Sequence, residues 1–504
     1  MNIVTLLEMA AEVFPDRVAI SNGAEQLTYG ELLQAAQAAG RAIQASGAAY
    51  ASLLDVGSLA APVALFGAAY ARLPYVPLNY RLTRPEIEAL VERVAPVYLI
   101  AGRDYSAPLQ LGETVTLVER DAFLGACRGA GPDEPITASE EPRDIAVQLF
   151  TSGTTGKPKA AILRHDNLTA YILGTVDFGA AEEDEATLVS VPPYHIAGIS
   201  AVLSSTYAGR RMVQLGNFDP VTWLALAASE RVTNAFLVPT MLARIVEHLE
   251  AVRSPPHLPA LKAIAYGGGK MPLAVMERAM ALFPKVDFTN AYGLTETSST
   301  ICLLDPEDHR AAAASADPAI RRRLGSVGKP LATVEIQIRD EDGAVQPSGQ
   351  AGYVFVRGEQ VSGEYLGAGS QLDGAGWFPT RDRGMLDEGG YLFLDGRADD
   401  VIVRGGENIS PGEIEEVLLS HPAVAEAAVV AVPDLEWGEG VGAAIVLKPG
   451  ATVSTGELQA WVKERLRSSR VPAMIRFRRA LPYNELGKLL RRVVKQDFAE
   501  TTGK

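Results

Sequence analysis

Residues 150–160, FTSGTTGKPKA, bring together the hydroxyls of Thr151, Ser152, Thr154 and Thr155 with Gly153, Gly156 and Lys157. Hydroxyl donors, backbone amides freed by glycine and a cation in one turn are the parts that cradle polyphosphate oxygens. The stretch is not a Walker loop. Counted from Gly153, the second glycine of that pattern falls on Pro158. Read alone, it fits a polar surface turn as well. Further along, NAYGLTET (290–297) sets a hydroxyl, Thr295, beside a carboxylate, Glu296. A hard carboxylate oxygen suits Mg²⁺, which usually binds through one or two carboxylates plus substrate phosphates. Glu296 by itself could equally be a solvated loop acid.

Four more stretches follow the same register of chemistry: AYGGGK (265–270), WFPTRDRG (377–384), GRADDVIVRGGENISPGEIE (396–415) and ELGKLLRR (485–492). In this order and at these separations, the set resembles the adenylate-forming superfamily of acyl-CoA synthetases, adenylation domains and luciferases. The resemblance runs from about Thr28 to Arg492. It implies ATP-dependent activation of a small carboxylic acid to an acyl-adenylate, followed by transfer to coenzyme A. The cofactors implied are ATP, Mg²⁺ and coenzyme A.

By motif match, Thr151, Ser152, Gly153, Thr154, Thr155, Gly156 and Lys157 would hold the β- and γ-phosphates. Thr295 would touch the α-phosphate and Glu296 would be the Mg²⁺ ligand. Within Asn290, Ala291, Tyr292 and Gly293, Tyr292 resembles the aromatic that stacks on adenine. Gly267, Gly268 and Gly269 would border adenine and the acyl pocket, although three glycines also make a simple turn. Asp382 resembles the ribose hydroxyl acceptor. Arg397 would contact the sugar region, or else form a surface ion pair. Lys488 resembles the lysine that bridges carboxylate and α-phosphate; a point charge on a flexible stem suits that task. Asp399 matches the hinge about which the small domain rotates between half-reactions, and Gly405 and Gly406 would then approach the pantetheine arm. His195, in PPYHIAG (192–198), would face the acyl pocket, or be a satisfied structural histidine.

Two departures stand out. Ala160 follows Lys159 where the family has glycine, and GAAYASLLDVGS (47–58) replaces a polar run. The acyl pocket is expected around 194–200, Tyr207, 236–239, 266–269, 290–292 and 298–301. Its bulky Tyr194, Tyr207 and Phe236 favour a medium-length or aryl acid. Lys270 is the one cation in these stretches, which disfavours a dicarboxylic acid. A carrier-protein thiol or an amine as acceptor, and a catalytically silent binding module, are the competing functions. Intact Thr295, Glu296, Asp382, Arg397 and Lys488 speak against the last.

These residues need a scaffold, and the apolar patterning supplies one. Thr28–Glu31 fits a capping box that opens a helix with Leu32, Leu33, Ala36, Ala39 and Ile43 on its apolar side. Apolar runs such as VYLIA, IAVQLF, ATLVSV, NAFLV and LKAIAY alternate with helical patterns, which implies α/β architecture with mixed or parallel sheets. Ligand sites in such sheets lie where the loops leave the strand ends. From about Gly325, VEIQIRD, GYVFVRG and YLFLDG suggest an antiparallel lobe. Ser410–Glu413 and Ser454–Glu457 are two further capping boxes in a compact C-terminal α+β unit. The expected division is an N-terminal domain over 1–396 and a mobile C-terminal domain over 397–504.

The chain has 504 residues and a net charge of −15, from 46 Lys+Arg against 61 Asp+Glu. That excess argues against a nucleic-acid partner, because phosphate backbones are bound by clustered cations. Two cysteines, Cys127 and Cys302, cannot build a disulfide framework and show no metal-ligand spacing. No apolar window approaches a membrane span, and the N-terminus does not read as a signal peptide. The expected location is the cytoplasm.

Overall fold

The computed structural model describes residues 1–129, 136–151, 158–253, 256–397, 400–404, 407–434, 437–484 and 489–499. The chain folds as two compact units. The first comprises Met1–Glu335 with Val356–Phe378, and the second Ile336–Phe355 with Pro379–Lys504. Fold class is as the sequence implied: sheets with helices in a large N-terminal body, an antiparallel lobe and a small C-terminal α+β module.

The first unit is organised by two sheets. In one, the described strands run in the order Lys329–Pro330, Ser299–Leu304, Asp287–Leu294, Ala263–Gly267, Asn234–Leu237, Ala186–Val189, Arg211–Gln214, Val18–Asn22 and Glu25–Thr28. From Asp287–Leu294 to Val18–Asn22 all neighbours are parallel. Their carboxyl ends therefore open on one edge, and the glycine triplet, the His195 loop and the Thr295 turn all leave from it.

In the second sheet the order is Gly369–Ser370, Glu364–Tyr365, Lys159–Arg164, Ile145–Thr151, Tyr75–Pro77, Tyr50–Leu54, Val97–Ala101 and Val115–Glu119. Ile145–Thr151 and Lys159–Arg164 are antiparallel neighbours, with Thr151 opposite Lys159. Thr151 and Lys159, on either side of residues 152–158, are thus cross-strand neighbours.

Helix Tyr29–Ala45 starts as expected: the Thr28 hydroxyl accepts from the Glu31 amide at 3.2 Å and the Glu31 carboxylate accepts from the Thr28 amide at 2.8 Å. Helix Ala60–Tyr70 is buried at every position, so the run VALFGAAYA has no polar face at all. A helix apolar all round belongs inside a large core. The atypical stretch before it also has a buried acid. Asp55, 1% exposed, accepts from Arg120 Nη1 at 3.2 Å and from the Val56 amide at 2.8 Å.

The antiparallel sheet Val334–Arg339, Gly352–Gly358, Phe378–Leu386 and Leu392–Arg397 lies chiefly in the second unit. Beyond it, Gly438–Leu447 pairs with Val424–Asp434 and, in parallel, with Met474–Arg478. Helices Pro411–Leu419 and Thr455–Lys463 bury Ile414, Leu418, Leu458 and Val462 against Val441, Ala443 and Ile445 of this sheet. Helix Arg491–Ala499 buries Val494 and Phe498 against Val430, Ala444 and Val446. Consecutive strand residues point to opposite faces, so the alternation in VGAAIV serves both layers.

One sequence expectation fails here. Ser454 forms its capping box, but the Ser410 hydroxyl does not cap its helix. It donates to the Asp395 carbonyl at 2.6 Å instead, because that oxygen is brought within reach by the preceding strand.

Candidate active site

Strand Asp287–Leu294 carries Asn290, Ala291, Tyr292 and Gly293 to the sheet edge, all half-buried. Asn290 donates to the Ser326 carbonyl at 3.1 Å. Gly293 sits where the pairing with Ser299–Leu304 shifts register after Tyr292. A Cβ on Gly293 would stand 1.8 Å from the Ser299 carbonyl oxygen, so only glycine fits. Gly267 is equally constrained, with the Ala291 carbonyl 2.1 Å from an added Cβ. Gly268 has φ +81°, and both Gly268 and Gly269 are exposed, leaving open backbone where a flat ligand can approach.

Thr295, Glu296 and Thr297 form a single 3₁₀ turn after this strand. The Thr297 hydroxyl closes it, accepting from the Leu294 amide at 3.0 Å and donating to the Ser299 carbonyl at 2.8 Å, with the Leu294 carbonyl 3.1 Å away. The chain leaves through Ser298 and Ser299 at φ 55° and 111°. Left-handed backbone at two serines is costly and persists only where surroundings over-determine it.

The surroundings here are residues 360–365, which the sequence reading did not single out. Gln360 Nε2 donates to the carbonyls of Thr297 and Thr300 at 3.0 and 2.7 Å. The amides of Ser362 and Gly363 donate to the Glu296 carbonyl at 2.9 and 3.1 Å. The Tyr365 hydroxyl donates to Glu296 Oε1 at 2.5 Å.

Tyr365 also pairs with Ala161 in the strand leaving the 152–158 loop, and Lys159 Nζ lies 5.5 Å from its ring centre. One aromatic therefore joins the candidate metal carboxylate to the base of the candidate phosphate loop. The one signal in the sequence was an aromatic at the end of SGEY, a polar stretch after a strand.

Thr151 is the last residue of its strand, its hydroxyl 3.4 Å from the Lys159 carbonyl. Ser152, Gly153, Thr154, Thr155, Gly156, Lys157, Asp399, Gly405, Gly406 and Lys488 lie outside the described residues. In the second unit, Asp382 and Arg397 face each other across antiparallel strands, and Arg397 Nε lies 2.9 Å from Asp382 Oδ1. Arg397 Nη1 also donates to the Thr380 carbonyl at 3.1 Å. The two residues assigned to the sugar are thus brought together.

His195 precedes helix Ile196–Ala208. Its Nε2 is buried without a hydrogen-bond partner. Burial, with Arg81 nearby, pulls its pKa down to about 3, so the ring is neutral. Beside it Tyr194 packs edge-on against Tyr80 at 5.4 Å, inside the core of the second sheet. The hydroxyls of Ser200 and Ser298 are also buried and unpartnered.

Under the glycine triplet, Tyr266 and His309 are hydrogen-bonded at 2.8 Å. His309 Nδ1 lies 2.7 Å from the Asp305 carbonyl, which can only accept. Nδ1 is therefore the donor, and Nε2 accepts from the Tyr266 hydroxyl. This chain fixes the strand end from which Gly267 leaves.

A glycine-backed sheet edge and a hydroxyl–carboxylate turn held by residues 360–365 are what the described residues bring together, and comparison with known proteins shows the family they belong to. The AMP-binding enzyme family profile matches residues 7–366, and that of the AMP-binding enzyme C-terminal domain matches residues 413–488. The chain belongs to the AMP-binding enzyme family.

This AMP-binding enzyme is 32% identical over 499 residues to a feruloyl-CoA synthase of Amycolatopsis, covering 97% of each chain. It is 32% identical over 498 residues to a 2-succinylbenzoate–CoA ligase of Bacillus cereus, again covering 97% of each. The o-succinylbenzoate CoA synthetase of Bacillus subtilis, solved with its acyl-adenylate intermediate, superimposes with a TM-score of 0.83 at 30% identity, covering 97% of both chains. Among the described residues, no helix of this AMP-binding enzyme is long and apolar enough to cross a membrane.

Proposed function

We propose that the protein is an AMP-forming acid:CoA ligase. It converts a carboxylic acid and ATP to an acyl-adenylate and pyrophosphate, then transfers the acyl group to coenzyme A. The observation that carries this reading is the Tyr365–Glu296 hydrogen bond, which ties the YGLTE turn to the strand leaving the 152–158 loop. A carboxylate meant for a metal and a loop meant for phosphates must converge in this way.

A carboxylate is a poor electrophile, and the mixed anhydride supplies a leaving group. The enzyme must neutralise the charge that builds on the α-phosphorus. Thr295 binds the α-phosphate and the Thr151–Lys157 loop holds the β- and γ-phosphates. Mg²⁺, when bound, neutralises phosphate charge, and Glu296 would hold it. The half-buried carboxylate fits such an ion, with Oε1 fixed by Tyr365. Tyr292 stacks on adenine over Gly268 and Gly269, and Asp382 accepts from the ribose hydroxyls with Arg397 holding it in place. Lys488 bridges the carboxylate and α-phosphate in the first half-reaction. The body from 397 onward then rotates about Asp399, withdrawing Lys488 and bringing Gly405 and Gly406 to the pantetheine arm.

The acid is a neutral aryl or medium-length monocarboxylic acid. No lysine or arginine is among the buried residues described, so a second carboxylate would go into the pocket without a buried cation. The neutral His195 and the free hydroxyls of Ser200 and Ser298 match an uncharged polar substituent. Mass spectrometry of AMP and acyl products from MgATP and hexanoate, dodecanoate, benzoate, a hydroxycinnamate or malonate, with and without CoA, tests both parts. Acyl-CoA formed best from an aryl acid supports the reading. Malonate as the best substrate sinks the pocket argument, and acyl-adenylate that ignores CoA sinks the choice of acceptor.

A further inference from the structure

Strand Glu364–Tyr365 is two residues long, yet it delivers the hydroxyl that holds Glu296. It lies antiparallel to Lys159–Arg164, with Glu364 opposite Ile162 and Tyr365 opposite Ala161. Successive side chains leave a strand on opposite faces. Glu364 therefore shares a face with Arg164, and Tyr365 shares the other with Lys159. Each diagonal pair interacts. Arg164 Nε and Nη2 donate to Glu364 Oε2 and Oε1, both at 2.9 Å, in a bidentate fork. On the other face Lys159 Nζ lies 5.5 Å from the Tyr365 ring centre.

Arg164 is itself held in place. It stands where its strand passes into helix His165–Thr175; its amide donates to Asn167 Oδ1 at 3.2 Å and Nη1 donates to the Arg143 carbonyl. The buried Asn167 reaches the late segment too, Nδ2 donating to the Glu359 carbonyl at 2.9 Å. The Ser362 hydroxyl donates to the Ile162 carbonyl, and the Leu366 amide to the Ala160 carbonyl at 2.9 Å. So short a pairing specifies register weakly by backbone bonds alone, and a one-residue slip turns every side chain to the other face. After such a slip the Tyr365 hydroxyl would leave Glu296, and Glu364 would leave Arg164 in the same step. The fork forms in one register only.

From this arrangement we infer that the Arg164–Glu364 pair is a register lock. Arg164 and Glu364 are positioning residues that set the Tyr365 hydroxyl on Glu296, and so fix the carboxylate that would hold Mg²⁺. The inference rests on the ligase reading and on the role given there to Glu296. An ion pair whose side chains are 22% and 23% exposed contributes little net stability, which leaves geometry as the better account of its presence.

The test uses the full chain with R164Q, E364A, Y365F and the double R164Q/Y365F, read in two ways. The first is amide hydrogen exchange without nucleotide, followed by mass spectrometry over residues 360–366, with helix Tyr29–Ala45 as the control. In R164Q and E364A the amides of Ser362, Gly363 and Leu366 should exchange about 5-fold faster, the opening that loss of a partly exposed ion pair permits, with the control unchanged. The second is the half-saturating Mg²⁺ concentration for acid-dependent pyrophosphate release. It should rise about 10-fold in R164Q and in E364A, the lower end of the effect of losing a group that orients a metal ligand. The rate at high Mg²⁺ should stay near the parent. The double variant should need no more Mg²⁺ than Y365F alone, because both changes remove the same bond.

Parent-like exchange at Ser362 and Gly363 in both single variants overturns the lock. So does a Mg²⁺ requirement in the double variant equal to the product of the two single effects, since Arg164 would then act by a route other than Tyr365. A parent that releases no pyrophosphate with any acid removes the ligase reading and the role at Mg²⁺ with it; faster exchange in R164Q and E364A would still uphold the lock. Should R164Q not fold, E364A and E364A/Y365F give the same two readings.

Discussion

Replacing Tyr365 with phenylalanine removes one oxygen and leaves the ring beside Lys159 in place. The oxygen lost donates to Glu296 Oε1 at 2.5 Å, a short, charge-assisted bond. Hydrogen bonds to charged groups contribute about 1.5–3 kcal/mol, so the carboxylate loses that much of its orientation. If Glu296 binds Mg²⁺, loss of the partner that orients it should weaken metal affinity by about 10- to 100-fold.

Initial rates of acid-dependent pyrophosphate release, measured against free Mg²⁺ at saturating ATP, read this directly. The half-saturating Mg²⁺ concentration should rise by that factor, while the rate at high Mg²⁺ returns toward the parent. Global stability should change little, because the half-buried carboxylate can exchange the lost donor for water. An unchanged Mg²⁺ dependence would refute the reasoning. So would a loss of rate that no Mg²⁺ concentration restores.

Acid should destabilise the first unit through two buried histidines. Burial lowers the pKa of His195 to about 3 and of His165 to about 4, against 6.5 for the free side chain. Below pH 6.5 the unfolded chain takes up protons that the folded unit refuses, so stability falls as pH falls, by about 1.4 kcal/mol per pH unit for each histidine. Urea unfolding at pH 7, 6 and 5 should show His195→Gln with about half the combined slope of the two histidines removed; parallel parent and variant curves would contradict the burial argument. Gly293→Ala forces a Cβ onto the Ser299 carbonyl and should cost about 1–3 kcal/mol in the same assay, whereas Gly269→Ala, with its nearest atom at 3.8 Å, should cost less than 1 kcal/mol. Asp399→Pro, by restricting hinge torsions, should slow thioester formation from supplied acyl-adenylate more than it slows adenylate formation; equal slowing would remove the hinge assignment.

Much of this was legible because the chemistry is local. A hydroxyl–glycine–lysine loop, a Thr-Glu pair after a strand and a glycine triplet each sit within a few residues, and apolar periodicity set the strands that deliver them. The Thr28 and Ser454 caps were readable for the same reason, since a capping box spans four residues. What escaped was long-range. Nothing near Glu296 in sequence announces Tyr365, and nothing near Arg164 announces Glu364, 200 residues later. Ser410 shows the converse: a perfect local pattern lost to a carbonyl that only the folded chain brings close. Burial of Asp55 with Arg120 belongs to the same class, because a charge in an apolar run reads as an anomaly until its partner is placed.

The segment that completes the Thr295–Thr297 turn has an implication for biosynthesis. Ser362 is bonded to the Ile162 carbonyl across 200 residues of chain, and Tyr365 arrives with it. A growing polypeptide therefore makes the strands behind its glycine edge well before Gln360 and Tyr365 emerge. The Thr295–Thr297 turn and the Glu296 carboxylate take their final geometry only when that late segment folds back beside strand Lys159–Arg164.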